Sequence, residues 1–156
     1  MRNLEVKILE NGFGLPLPKY ESEGAAGLDL FAATKEDTKI IILPRKAEMI
    51  PTGIAISIPP GYEAQIRPRS GLAAKNGITV LNSPGTIDSD YRGEILVMLI
   101  NHSNKDFEIL RGMRIAQMVI SKIEQFDLIS VDELDTTDRG KDGFGSTGIL
   151  IKKDEE

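Results

Sequence analysis

Residues 85–94 read Gly85-Thr86-Ile87-Asp88-Ser89-Asp90-Tyr91-Arg92-Gly93-Glu94, between a short β-type run (Ile78-Thr79-Val80-Leu81) and a longer one at 95–100. Two such runs joined by a polar segment bounded by glycines predict a β-hairpin. Its tip would carry carboxylates, a phenol and a guanidinium, and loops on a rigid scaffold are where chemistry tends to be placed. Three readings compete. A solvated turn accounts for Asp, Ser and Gly without any function. A calcium loop is suggested by Asp88-x-Asp90 followed by Gly93. It fails because Arg92 takes the fifth position, Leu99 stands where a bidentate Glu is needed, and the flanks are strand-like. The third is a nucleotide site in which one Asp handles a water and Tyr91 packs on a sugar. The rest of the chain decides between the first and the third.

Outward from the hairpin the pattern stays β-rich. Residues 4–9 alternate (Leu4, Val6, Ile8), and 25–33, 40–43, 48–58 (interrupted by Pro51), 62–67, 107–110 and 115–123 read as strands, with 130–134 a further short one. The run 95–100 is apolar on both faces and predicts a strand buried on both sides. One helix is expected, at 70–76, with Ser70 capping its first turn and Gly77 ending it. Short, closely spaced strands with almost no helix predict an all-β sandwich, jelly roll or barrel. From Thr136 onward the chain turns Gly-, Asp- and Thr-rich and loses periodicity, which predicts a β domain over 1–135 and a mobile arm over 136–156.

A chain of 156 residues reads as one domain. It is 40% hydrophobic but only 5% aromatic, so aliphatic side chains must build a modest core, and oligomerisation would add stability. A net charge of −5 argues against a general nucleic-acid or membrane-surface binder. A polyanionic substrate must then be met by local Arg or Lys, or arrive with a metal. The absence of Cys excludes disulfides, thiol catalysis and thiolate metal sites, and the single His102 reads as a loop residue. No apolar run is long enough to span a bilayer and no secretory segment is evident, so a cytoplasmic location is expected.

Four further segments carry chemistry. Pro68-Arg69-Ser70-Gly71-Leu72-Ala73 sets a guanidinium and a hydroxyl at a strand-to-helix junction, which suits either a phosphate or an ordinary Ser cap beside a surface Arg. Ala26-Gly27-Leu28-Asp29-Leu30 places a carboxylate inside an apolar run, where it needs a partner. That partner is either a structural cation or an Arg or water of the site. In Arg114-Ile115-Ala116-Gln117 the polar pair falls on opposite faces of a regular strand. Both serve one site only if Arg114 precedes the strand or a bulge intervenes. Residues 139–148 read Arg-Gly-Lys-Asp-Gly-Phe-Gly-Ser-Thr-Gly. The spacing Gly143-x-Gly145-x-x-Gly148 matches a dinucleotide fingerprint, but too few residues follow for the helix and strand that motif needs. What remains is physical: glycines that let backbone approach a ligand, the hydroxyls of Ser146 and Thr147, and one apolar ring, Phe144. We read a tail that folds over a bound ligand.

Taken in order, these five segments resemble the trimeric deoxyuridine triphosphatase (dUTPase) family. The resemblance implies a distorted jelly-roll (β-clip) subunit with one short helix, assembled as a homotrimer. Its three active sites would lie at subunit junctions, each closed by a neighbour's C-terminal arm. The implied reaction is dUTP plus water to dUMP and pyrophosphate, with Mg²⁺ held mainly by substrate phosphates and water rather than by a protein cage. It would limit uracil incorporation into DNA and supply dUMP for thymidylate synthesis. No nucleic acid or membrane partner is implied. Residue by residue, Asp88 is similar to the group that holds and deprotonates the attacking water. Tyr91 matches the platform under deoxyribose, whose ring leaves no room for a 2′-hydroxyl, and Asn82 the uracil reader. Arg69, Ser70, Gly71 and Gln117 match phosphate contacts, Arg114 and Arg139 phosphate contacts or braces, and Asp29 an orienting carboxylate behind the site. Phe144 matches a lid over uracil, with Gly145, Ser146 and Thr147 on the γ-phosphate. The alternatives are a dCTP deaminase, or a bifunctional deaminase and triphosphatase, on the same scaffold, and a non-catalytic nucleotide-binding regulator.

Overall fold

The computed structural model describes residues 3–141 and 143. It forms two compact units, Met1–Glu124 and Gln125–Glu156. The first contains eleven strands and one α-helix: β1 (Glu5–Ile8), β2 (Leu28–Phe31), β3 (Lys39–Ile42), β4 (Ala47–Pro51), β5 (Ile54–Ser57), β6 (Tyr62–Arg67), α1 (Ser70–Asn76), β7 (Ile78–Val80), β8 (Gly85–Ile87), β9 (Leu96–Asn101), β10 (Phe107–Leu110) and β11 (Arg114–Lys122). These pair, always antiparallel, into four small sheets: β1-β5, β10-β3, β2-β11-β6-β8 and β4-β9-β7. The expected all-β jelly roll with one short helix is the architecture observed.

The core follows from composition. Ile42, Ile50, Ile56, Ile66, Ile78, Ile95, Ile109 and Ile115, with Leu30, Val97, Leu99 and Met118, are buried together, while Tyr62 and Phe107 pack only at its edge. β-branched side chains suit a pleated surface, so an isoleucine-rich core and a strand-rich fold are one choice. One buried polar side chain is fully paired. Asn101 donates to the carbonyls of Ile42 (2.8 Å) and Lys105 (2.7 Å) and accepts from Ser103 N–H (2.9 Å).

Several expectations shift. The long strand expected over 48–58 is two strands, and the break is at Gly53 (φ 70°); Pro51 closes β4 opposite Leu96. A Cβ at Gly12 would lie 2.2 Å from the Gly53 carbonyl oxygen, so this turn crosses the N-terminal segment backbone to backbone. β7 and β9 do pair, as the hairpin reading requires, but their connection contains β8, which leaves for the β6 edge of another sheet. Strand β9 buries one face only: Val97, Leu99 and Asn101 are inaccessible, whereas Leu96 is 42% exposed. Among the described residues of the second unit there is no strand, so the one expected over 130–134 is absent: Ser130 and Val131 make no ladder.

Candidate active site

Two clefts gather the residues singled out above. The first is built on β11. Gln117 stands in register with Asp29 of β2 on one side and Arg67 of β6 on the other. The chain leaving β6 turns through Pro68 and Arg69 into α1. Asp29, 17% exposed, accepts from Arg69 Nε at 3.1 Å on one oxygen and faces Arg114 Nε at 3.4 Å on the other. The carboxylate in the apolar run therefore has two cationic partners. Arg114 is also paired with Glu21 (3.2 Å), and its guanidinium lies 5.8 Å from the Phe31 ring centre. Its carbonyl accepts from Arg69 Nη1 at 3.2 Å. The pairing register shifts between Arg114 and Ala116, and this irregularity brings Arg114 and Gln117 to the same corner. Gln117 Nε2 donates to the Pro68 carbonyl (2.9 Å), and its side chain fills the space a Cβ on Gly27 would need. Asp29, Arg69, Ser70, Gly71 and Gln117 line a cleft of about 210 Å³.

Ser70 differs from expectation. Arg69, in extended conformation, occupies the cap position without a side-chain cap bond, and Ser70 is the first helical residue. The extended backbone ends at Arg69, so the helix starts one residue earlier than a Ser70 cap would place it. The Ser70 hydroxyl is exposed and forms no hydrogen bond among the described residues, which leaves it available to a ligand. The predicted end at Gly77 holds, in left-handed conformation with its N–H on Ala73.

The second cleft, about 160 Å³, is lined by Thr86, Ile87, Asp88, Tyr91, Glu94 and Leu96. Asp88 opens a turn closed by Tyr91 N–H on its carbonyl (3.2 Å). Its carboxylate is exposed and unpaired among the described residues. Arg92 folds back onto the carbonyls of Ser89 (2.7 Å) and Tyr91 (2.9 Å). Tyr91 Oη donates to the Glu94 carbonyl at 3.0 Å. Asn82 is exposed and leans over the buried Gly85, its Nδ2 3.1 Å from where a Cβ would sit.

The two clefts share no lining residue. Strand register explains why. Ile87 opposes Ala64, so Asp88 leaves the sheet beside Glu63, near the start of β6, whereas Arg69 lies past its far end, six residues on. At about 3.3 Å per residue the two groups stand on the order of 20 Å apart within one chain. Asn82, by contrast, belongs to the Gly85 end, opposite Ile66. Arg139 lies in the second unit, within the turn at 138–141. Phe144, Gly145, Ser146 and Thr147 lie outside the described residues.

A family model described as dUTPase matches residues 14–148. The chain is 57% identical over 141 residues to the deoxyuridine 5′-triphosphate nucleotidohydrolase of Rhizobium rhizogenes, covering 90% of each protein. The chain belongs to the dUTPase family. Its fold is similar to the dUTPase of Staphylococcus bacteriophage 80alpha solved with dUpNHpp (TM-score 0.83, 28% identity, 96% of this chain and 100% of that one). It is also similar to an Asp-to-Asn variant of the dUTPase from phage phi11 of S. aureus, whose structure concerns coordination of a structural Mg(II) ion (TM-score 0.75, 25% identity, 86% and 100%).

All five segments that carried the resemblance fall inside the span matched by the dUTPase model. Two residues that support the second cleft were not singled out from sequence. Glu94 Oε1 accepts from the Gly53 N–H (2.7 Å) and from Asn11 Nδ2 (2.8 Å). Asn11 precedes the dUTPase-matched span. No local pattern links residues 83 positions apart; the only hint was a carboxylate directly after the second glycine of the loop.

Proposed function

We propose that this protein hydrolyses dUTP to dUMP and pyrophosphate. The observation that carries the reading is its near full-length likeness, at 57% identity, to relatives named for that activity. The chemistry of the two clefts agrees. Arg69, with an edge of its guanidinium turned from Asp29, Ser70 with its unused hydroxyl, Gly71 and Gln117 make a cleft suited to phosphate oxygens. Asp29 and Arg114 hold Arg69 in place.

Asp88, exposed beside Tyr91, would hold a water in line with the α-phosphorus and take its proton as the new P–O bond forms and pyrophosphate leaves. A carboxylate is a weak base near neutral pH, so holding the water in line matters as much as accepting its proton. Tyr91 would lie under deoxyribose and exclude a 2′-hydroxyl. Asn82 and the backbone beside it would read uracil. Hydrogen-bond mismatch in such a pocket can reject cytosine by roughly 10⁴-fold, against about 10–200-fold for one methylene in an apolar pocket.

Among the described residues no three His, Asp or Glu side chains converge on a point. That suits an ion that takes its ligands mainly from phosphate oxygens and water, the usual habit of Mg²⁺. Held on the substrate in this way, Mg²⁺ would offset triphosphate charge on an acidic protein and leave Asp88 to its water.

Because one chain holds its phosphate cleft and its Asp88 turn about 20 Å apart, a complete site needs residues from more than one copy. The outer face of β4-β9-β7 favours this. Met49 (53% exposed), Leu81 (49%) and Leu96 (42%) make an apolar surface, and Leu96 also lines the Asp88 cleft. Exposed apolar patches of this kind mark association surfaces. We place the chain in a homotrimer, with the arm from residue 136, including Arg139, Phe144, Gly145, Ser146 and Thr147, closing a neighbour's site. No helix among the described residues is long and apolar enough to cross a membrane, and we place the enzyme in the cytoplasm.

Pyrophosphate release measured across dUTP, dTTP, dCTP and UTP tests the reading. Turnover of dUTP alone is expected, and ammonia released from dCTP would mean a deaminase instead. Ending the chain before Arg139 is expected to lower kcat/KM by about 10²-fold or more, as loss of a closing segment does, without changing thermal stability. An unchanged rate would remove the arm from the site.

A further inference from the structure

Glu94 ends the Asp88 loop, and nothing in the proposed chemistry uses it. We infer that Glu94 is the positioning residue for Tyr91, through which the enzyme tells deoxyribose from ribose; this rests on the dUTPase reading of Tyr91 given above. The internal bonds of the loop, Tyr91 N–H on Asp88 and Arg92 on Ser89 and Tyr91, fix its shape but not its place on the sheet. Its entry is fixed by β8. Its exit is held at Ile95, whose N–H donates to the Ile54 carbonyl (2.9 Å) and whose carbonyl accepts from Thr52 Oγ1 (2.6 Å), and one residue closer to Tyr91 by Glu94, whose single Oε1 takes the Gly53 N–H at 2.7 Å and Asn11 Nδ2 at 2.8 Å.

That anchor is rigid. Asn11 belongs to a 3₁₀ turn (Glu10–Gly12), and its carbonyl accepts from Arg111 Nη1 at 2.8 Å. Arg111 also donates to the carbonyls of Thr34 and Phe13, each at 2.7 Å. Beside it Gly12 and Gly53 touch backbone to backbone, a contact no side chain could enter. The Glu94 carboxylate therefore joins the loop to a part of the fold with no slack.

Tyr91 reads its position from the same residue. Its Oη donates to the Glu94 carbonyl, and its ring lies against Gly93, where a Cβ would come within 2.4 Å of Oη. Moving the Glu94 backbone moves the ring. A displaced ring no longer fills the space that a ribose 2′-hydroxyl would need.

The test is the ratio of kcat/KM for dUTP to that for UTP. Glu94→Ala is expected to lower this ratio about tenfold, mainly through a higher kcat/KM for UTP as the ring leaves the space of the 2′-hydroxyl, the scale set by losing hydrogen bonds to a charged acceptor. Glu94→Gln, which keeps an acceptor oxygen, should stay within about twofold of wild type. Gly93→Ala pushes the ring directly while leaving the carboxylate anchor intact, and should lower the ratio with little change in Tm. Should Glu94→Ala not fold, Asn11→Ala removes one of the two bonds and should give a fall of about threefold. A Glu94→Ala protein with lowered Tm but a wild-type ratio would overturn the inference and leave Glu94 a structural brace. Failure of the wild-type protein to hydrolyse dUTP would instead overturn the activity itself, and is seen in the control.

Discussion

The two clefts of this chain are built by opposite means. The Arg69 corner is held by charge: one carboxylate, Asp29, orders two guanidinium groups, and a second acid, Glu21, steadies the outer one. The Asp88 loop is held by bonds to backbone and amide groups: the Tyr91 N–H and the Arg92 guanidinium close the turn on its own carbonyls, and the Glu94 carboxylate ties it to the Gly53 N–H and the Asn11 amide. The corner keeps its cations ordered and one guanidinium edge open, as phosphate oxygens require. The loop keeps Asp88 free of any cation among the described residues, as the proton-accepting role proposed for it requires. A salt bridge to Asp88 would ruin the second cleft, whereas its counterpart at Asp29 makes the first.

The comparison predicts different failures. Asp88→Asn should lower kcat by about 10²–10⁴-fold, the range for a lost general base, while equilibrium binding of dUpNHpp stays within a few-fold. Loss of binding would show that Asp88 shapes the loop. Asp29→Asn should act on the other kinetic constant, raising KM about tenfold with kcat little changed, because it loosens Arg69 and leaves Asp88 alone. A kcat loss as large as that of Asp88→Asn would erase the distinction. Glu21→Gln removes an exposed partner of Arg114, and exposed pairs contribute about 0–1 kcal/mol, so KM should change less than about fivefold. A larger effect would mean that the outer pair matters as much as Asp29.

What sequence made legible was local or spaced by a short period. The helix at 70–76 with its Gly77 stop, and the strands at 62–67 and 107–110, appear as expected because capping and alternation act over a few residues. Of the two conditions placed on Arg114 and Gln117, that Arg114 precede the strand or that a bulge intervene, the second is met by the register shift between Arg114 and Ala116, with Arg114 already inside β11. What failed was set by partners far along the chain. Thr86 and Ile87 read as loop because a three-residue strand has no period to detect; its identity comes from pairing with β6. The outer face of β9 read as buried because Leu96, Met98 and Ile100 are apolar, yet among the described residues Leu96 is left 42% exposed. Asn11 and Glu94 meet only because two glycines let the backbone cross.

The exposed ring of Tyr91 has a practical consequence. The chain has no tryptophan and three tyrosines, so its intrinsic ultraviolet emission comes from tyrosine alone, with no indole to drain or mask it. One of those three emitters sits in the Asp88 cleft. Occupancy of that cleft is thereby open to direct optical titration of the unlabelled protein, with Tyr91→Phe as the blank.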